Sequence, residues 1–219
     1  MSLRLAIFDC DGTLVDSQHA IVAAMEHAFA AESVPPPSRA QILSIVGLSL
    51  QEAIARLAPE ASPALVLAVR EHYRTYNVRI RESGAAFDPL YDGIAPLLDR
   101  LVAEDWLLGV ATGKSIRGLR HVLATHNLTS HFVTLQTADH HPSKPHPSMI
   151  ETALAETGVD RANAVMIGDT SFDMMMAQAA RVRALGVGWG YHPPGELFAA
   201  GAASVAMDSA ELGRHIGLP

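Results

Sequence analysis

Cysteine is nearly missing from this 219-residue chain. Cys10 is the only one, so no intramolecular disulfide forms and a reducing compartment is expected. Lysine is almost as scarce: Lys114 and Lys144 are the only two, and arginine supplies the other cations. Charged residues make up 18%, below the roughly 25% usual for soluble domains. The formal charge of −7 argues against nonspecific binding to nucleic acid or to an anionic membrane. No stretch reaches the roughly 20 apolar residues of a membrane span, and Met1 to Asp9 holds no secretory apolar segment. The cytoplasm is therefore the expected location. There is no internal repeat, low-complexity tract or heptad, so a monomer or weak homodimer is expected.

What the chain does have is apolar mass, 49% of its residues, enough for a sizeable core. Short apolar runs read as buried strands at Leu3–Phe8, Trp106–Ala111, Phe132–Leu135, Ala164–Ile167 and Arg183–Val187, with an edge run at Ala203–Met207. Helical patterns near Gly93–Ala103, Ser115–Thr125, Pro147–Thr157 and Phe172–Ala180 fall between them. Strand–helix alternation predicts an α/β fold with a Rossmann-like parallel sheet covered on both faces. One interval breaks the rhythm. From about Ser17 to Phe87 only helical spacing is found, as in Ile21, Met25 and Phe29, and in Leu65, Val69, Tyr73, Tyr76 and Ile80. The expected division is an α/β core of residues 1–16 and 88–219 with an all-helical insert at 17–87, returning through Phe87–Gly93.

The chemistry gathers at strand ends. Asp9 and Asp11 stand at i and i+2, so in extended chain they share a face with Cα atoms roughly 7 Å apart. Cys10 points the other way as a packing residue, and Gly12 permits a tight turn. An Asp-x-Asp pair alone is common at solvated strand ends and in calcium loops. A calcium loop continues with oxygen ligands, whereas Thr13-Leu14-Val15 turns apolar at once.

After the second strand comes Thr112-Gly113-Lys114-Ser115, a hydroxyl and free amides at a helix start, suited to phosphate. It imitates a nucleotide P-loop but fails on spacing, since that motif needs four residues between its first glycine and Gly-Lys-Ser. Lys144 follows in a proline-rich loop, and Asp169 and Asp173 lie at the fourth strand end. Simpler readings exist: a solvated lysine, and helix capping by Asp169 or Ser171 with Asp173 favoured by the dipole. His140, His141 and His146 lack a cysteine or helical histidine partner and read as surface loop residues. Met174–Met176 reads as core filling.

Four strand ends bearing Asp-x-Asp, Thr, Lys and Gly-Asp-x-x-x-Asp in order are more specific than any one motif. Here the chain resembles the haloacid dehalogenase superfamily, in its phosphoglycolate-phosphatase-like branch with a helical cap inserted after the first motif. The resemblance covers nearly the whole chain. It implies Asp9 as a nucleophile forming an aspartyl-phosphate and Asp11 as acid and base. It implies Mg2+ held by Asp9, the Asp11 carbonyl and Asp169, with Asp173 in support through Lys144 or a water. Thr112, Gly113 and Lys144 would bind the phosphoryl group or balance its charge, and Gly47 lies in a stretch resembling the family's specificity loop. The implied partner is a small phosphorylated metabolite.

Departures narrow the set. Many relatives carry Asn where this chain has Gly113, leaving only backbone for a phosphate contact there. Dehalogenases lack the second acid, so Asp11 argues against dehalogenation. Phosphonate-cleaving relatives use a cap lysine, and the insert has none. A phosphomutase, a pyrophosphatase and a silent phosphate-binding module are the remaining alternatives. Arg39, Arg56, Arg70, Arg74, Arg79 and Arg81 are expected mostly on solvated faces with Glu52 and Glu71, with one or two left for a substrate carboxylate; Arg117 is a similar open case.

Overall fold

A computed structural model describes residues 3–86 and 88–218. Six strands form one sheet: β1 (Arg4–Phe8), β2 (Trp106–Thr112), β3 (Phe132–Thr137), β4 (Ala164–Gly168), β5 (Arg183–Val187) and β6 (Ser204–Ala206). Their order is β3-β2-β1-β4-β5-β6 and every pair is parallel. The sheet is the one expected, down to its edge strand.

Period-two alternation in β1 explains why both faces are covered. Ala6 and Phe8 enter one apolar cluster with Leu98, Leu119 and Leu212, from α5 (Ile94–Ala103), α6 (Ile116–Thr125) and α10 (Ser209–Ile216). Leu5 and Ile7 enter a second cluster with Met149, Met174 and Leu197, from α7 (Ser148–Thr157), α8 (Ser171–Ala180) and α9 (Pro194–Ala199). From β1 the chain moves outward through β2 to β3, then crosses to β4 on the other side. The reversal at β1 leaves a crevice at the carboxyl ends of β1, β2 and β4, where open α/β sheets bind ligands.

Between β1 and α5 the chain is helical: α1 (Gln18–Ala31), α2 (Arg39–Leu43), α3 (Leu50–Leu57) and α4 (Pro63–Glu82). These helices have their own apolar cluster, including Met25, Phe29, Ile42, Ile54 and Val69. The segment leaving β1 and the one returning to the sheet are stitched together. Asp16 N–H donates to the Pro89 carbonyl at 2.8 Å and Tyr91 N–H to the Leu14 carbonyl at 3.0 Å. Phe87, the expected start of that return, lies outside the described residues.

Two local expectations change. In α4 the buried positions are Val66 and Val69, while Tyr76 stacks on His27 at 4.8 Å between ring centroids and Tyr73 lines a cavity. Tyr73 and Leu65 are partly buried against the same apolar cluster as Val69, where α4 packs on α1 and α3. Within Met174–Met176 the first and third side chains are buried, but Met175 is 38% exposed, since helical spacing turns it outward.

Ile7 is fully buried beneath the site. Ile7→Ala is expected to cost about 2–5 kcal/mol in a urea melt, the range for deleting a large aliphatic side chain from a packed core. A loss under about 1 kcal/mol would contradict its place in the central strand.

Candidate active site

The end of β1 delivers Asp9 to a point where three other strand-end loops meet. Asp9, Asp169 and Asp173 are all buried, and one carboxylate oxygen from each lies within 4.8 Å of the others. Lys144 is inserted among them with no exposed side-chain surface. Its Nζ donates to Asp173 Oδ1 at 2.6 Å and pairs with Asp9 Oδ2 at 2.9 Å. The angle of the second contact leaves Oδ2 without a directed hydrogen bond, whereas Asp9 Oδ1 accepts the Cys10 N–H at 2.7 Å.

The neighbours are braced from the protein side. Asp169 accepts the Thr13 hydroxyl at 2.8 Å on Oδ1 and the Tyr191 N–H at 2.9 Å on Oδ2. Asp173 Oδ2 accepts the Thr170 N–H and hydroxyl at 3.1 and 2.7 Å. Thr170, rather than Asp169 or Ser171, is therefore the residue at the N-terminal cap of α8, and Asp173 reaches back to it. With Lys144 and Thr170 occupying both its oxygens, Asp173 acts as a brace. Gly12, at φ +82°, makes the approach possible: a Cβ there would lie 2.1 Å from Asp169 Oδ2.

Three carboxylates around one ammonium leave negative charge uncompensated where water cannot screen it. Burial pushes the Asp9 carboxyl up to about 7, Lys144 pulling it back and Asp173 adding to the rise. Burial likewise holds Asp169 well above the carboxylate range, with Asp173 and Asp9 reinforcing it. Burial opposes the charge on Lys144, but Asp173 and Asp9 more than offset this and keep it a cation. An all-oxygen donor set, an under-bonded Asp9 Oδ2 and this charge excess fit a small hard dication such as Mg2+. Among the described residues this is the only such group of acids, histidines or cysteines. His141 instead pairs with Ser148 and Gln136.

Asp11 lies apart from that cluster and lines a cavity of about 690 Å³ between the sheet ends and the helical insert. Its Oδ1 accepts the Ser17 hydroxyl at 2.5 Å and pairs with Lys114 Nζ at 2.8 Å; Lys114 is also 4.0 Å from Asp88. Thr112 is buried at the end of β2, beside β1, its Oγ1 accepting the Lys114 N–H at 3.2 Å. Gly113 and Gly47 face each other across the cavity wall. A Cβ on Gly113 would lie 2.3 Å from the Leu48 carbonyl oxygen and 2.7 Å from that of Gly47. The absent Asn thus has a steric reason here: the insert's loop backbone occupies the space a side chain would need. Ser49 N–H, bonded to Ser143 Oγ at 2.9 Å, ties the same loop to the loop of Lys144.

Lys114, Ser17, Thr13, Asp88 and Tyr191 form contacts that sequence reasoning had not assigned. The scarcity of lysine was a signal for Lys114, because both lysines follow strands and each meets one acid of the Asp9/Asp11 pair. Ser17, Thr13, Asp88 and Tyr191 carry no comparable mark.

Residues 6–187 match the family described as haloacid dehalogenase-like hydrolase. The Probable phosphatase IndB of Dickeya dadantii is 35% identical over 90% of this chain and 86% of its own length. Phosphoglycolate phosphatase of Vibrio cholerae is 28% identical, covering 87% of each chain. The crystal structure of a hydrolase from Pseudomonas syringae superimposes with a TM-score of 0.86 at 27% identity, over 99% of this chain and 98% of that one. The chain belongs to the haloacid dehalogenase-like hydrolases, among their phosphatases.

Two outcomes follow from the geometry. A carboxyl raised by burial binds its proton more tightly when folded, so its contribution is present below about pH 4 and fades as pH rises toward 7. Metal-free protein should therefore lose thermal stability between pH 5 and 7.5, and millimolar Mg2+ should raise Tm more at pH 7.5 than at pH 5. An equal Mg2+ shift at both pH values would count against these acids as its ligands. Gly113→Ala should disfavour the observed seating of residues 47–48 by about 1–3 kcal/mol, as overpacking does. Its readout is a KM for phosphate esters raised several-fold or more; an unchanged KM would refute the contact.

Proposed function

We propose that this phosphatase hydrolyses small phosphomonoesters in a magnesium-dependent reaction with Asp9 as covalent nucleophile and the helical insert as a cap. One observation carries the reading. Asp9 is buried among Asp169, Asp173 and Lys144, while Asp11, two residues on, faces the cavity where a leaving group would sit.

The division of labour follows from these positions. Asp9 attacks phosphorus as the ester oxygen departs, giving an aspartyl-phosphate, and Asp11 hands its proton to the leaving alkoxide. Asp11 then takes a proton from the water that attacks the acyl phosphate, releasing phosphate and restoring Asp9. Lys144 favours the anionic form of Asp9 against its burial, and Asp173, itself held by Thr170, keeps Lys144 in place. Thr112 and the amides before α6 orient phosphoryl oxygens at a helix N-terminus. Asp9, Asp169 and the Asp11 carbonyl would hold Mg2+, which supplies charge neutralisation at the phosphoryl oxygens. Lys114 exchanges partners, leaving Asp11 for an incoming anion, because Asp11 must be free to donate.

A cavity of about 690 Å³ closed over by the insert suits a metabolite better than a macromolecule. The likeness to a phosphoglycolate phosphatase supports including phosphoglycolate in a substrate panel with pyrophosphate and hexose phosphates. Asp9→Asn is expected to lower Mg2+-dependent phosphate release from p-nitrophenyl phosphate by at least about a thousandfold. Retention of full activity would remove Asp9 from the mechanism.

A further inference from the structure

The cavity has a second end, and its charge is opposite to that of the whole molecule. One face of α4 lines it with Arg70, Tyr73, Arg74, Asn77 and Arg81. Those positions follow helical spacing, and from the first to the last they span roughly 16 Å at 1.5 Å per residue. The core contributes Arg117, the second residue of α6, to the same cavity.

Most charges on this wall already have partners. Arg70 donates to Glu71 at 3.0 Å and to Gln51 at 3.0 Å, and Arg74 reaches Glu71 at 3.5 Å. The cavity's acids are spoken for as well. Glu52 accepts from Arg56 at 3.0 Å, Asp139 accepts the Ile116 N–H at 2.8 Å, and Asp11 pairs with Lys114. Among the described residues, Arg81 and Arg117 have no carboxylate within 4.0 Å. They come from opposite sides, one from the insert and one from the core. Burial and then Arg117 lower Arg81's hold on its proton, while the adjacent Glu82 and Tyr73 oppose the shift.

We infer that Arg81 and Arg117 form a subsite for a second anionic group on the substrate, distal to the phosphoryl group. The preferred substrate is then a phosphomonoester whose other end carries a carboxylate or a second phosphate. A guanidinium suits either through paired N–H donors. The anion relieves the repulsion between the two cations and bridges α4 to α6, so filling the subsite also favours the closed seating of the insert. The inference rests on the phosphatase reading for its proximal end and on these two arginines for its distal end.

The test compares ω-carboxyalkyl phosphates and α,ω-alkyl bisphosphates with uncharged n-alkyl phosphates of matched length. It measures kcat/KM in the wild type, Arg81→Gln, Arg117→Gln and the double variant. The wild type should prefer a doubly anionic series and show an optimum chain length, and the better series identifies the distal group as carboxylate or phosphate. Each single variant should lower the ratio of doubly to singly anionic kcat/KM by about tenfold or more, as for a charged hydrogen bond. The double variant should lose little beyond the larger single loss, because both arginines serve one anion. A wild type without preference, or ratios unchanged by both substitutions, would overturn the subsite. Absence of turnover on every ester, p-nitrophenyl phosphate included, would instead contradict the phosphatase reading. The subsite is then decided by the same comparison of affinities, measured by calorimetry on the same esters.

Discussion

The ammonium of Lys144, held without exposed surface between Asp9 and Asp173, is the contact around which the rest of this molecule is arranged. Three carboxylates in one dry space repel each other, and burying a charge is costly unless it is paired. The lysine offsets part of that charge and leaves the remainder for a dication. Around it the protein supplies directed donors: Thr13 and Tyr191 to Asp169, Thr170 to Asp173, and the Cys10 amide to Asp9. Each fixes a carboxylate that would otherwise rotate away. The site is therefore pre-organised by hydrogen bonds before any ligand arrives, which is what phosphoryl transfer asks of a protein.

A second constraint is steric and sits a few residues away. The insert's loop lays its own carbonyls against Gly113, so the wall of the cavity is backbone where relatives often place an Asn side chain. That exchange brings the insert close to the sheet ends. Both α4 and α6 contribute arginines to the lining of one cavity. Asp11 and Lys114 stand at the junction, between the buried acids and the open space. Asp11 thus lines the same cavity as the arginines of α4 and α6, while Asp9, Lys144 and Asp169 lie buried behind it.

Much of this was legible along the chain. The apolar runs of the strands, the missing strands between 17 and 87, and the acids, threonine and lysine at successive strand ends all leave local marks. Strand periodicity and turn residues act over a few positions, so sequence spacing reports them directly. Helix-face details were less legible. The face of α4 that carries Tyr73 and Arg81 looks, by spacing alone, like another buried stripe or solvated surface. Thr170 as the cap of α8 was equally hidden, because Asp169, Thr170 and Ser171 are all competent caps and only the folded chain shows Asp173 bonded back to Thr170.

By itself, then, the sequence determined the parallel sheet, the helical interruption and the identities of Asp9, Asp11, Thr112, Lys144, Asp169 and Asp173, because backbone pattern and motif spacing are local properties. Only the tertiary structure decided that Lys144 goes to Asp9 while Lys114 goes to Asp11, that Gly113 yields to the Leu48 carbonyl, and that Arg81 and Arg117 line one cavity. Those contacts join residues as much as 135 positions apart, the separation of Asp9 from Lys144. Their partners are chosen by packing and charge in three dimensions, where sequence distance has no bearing on which groups share a dry space.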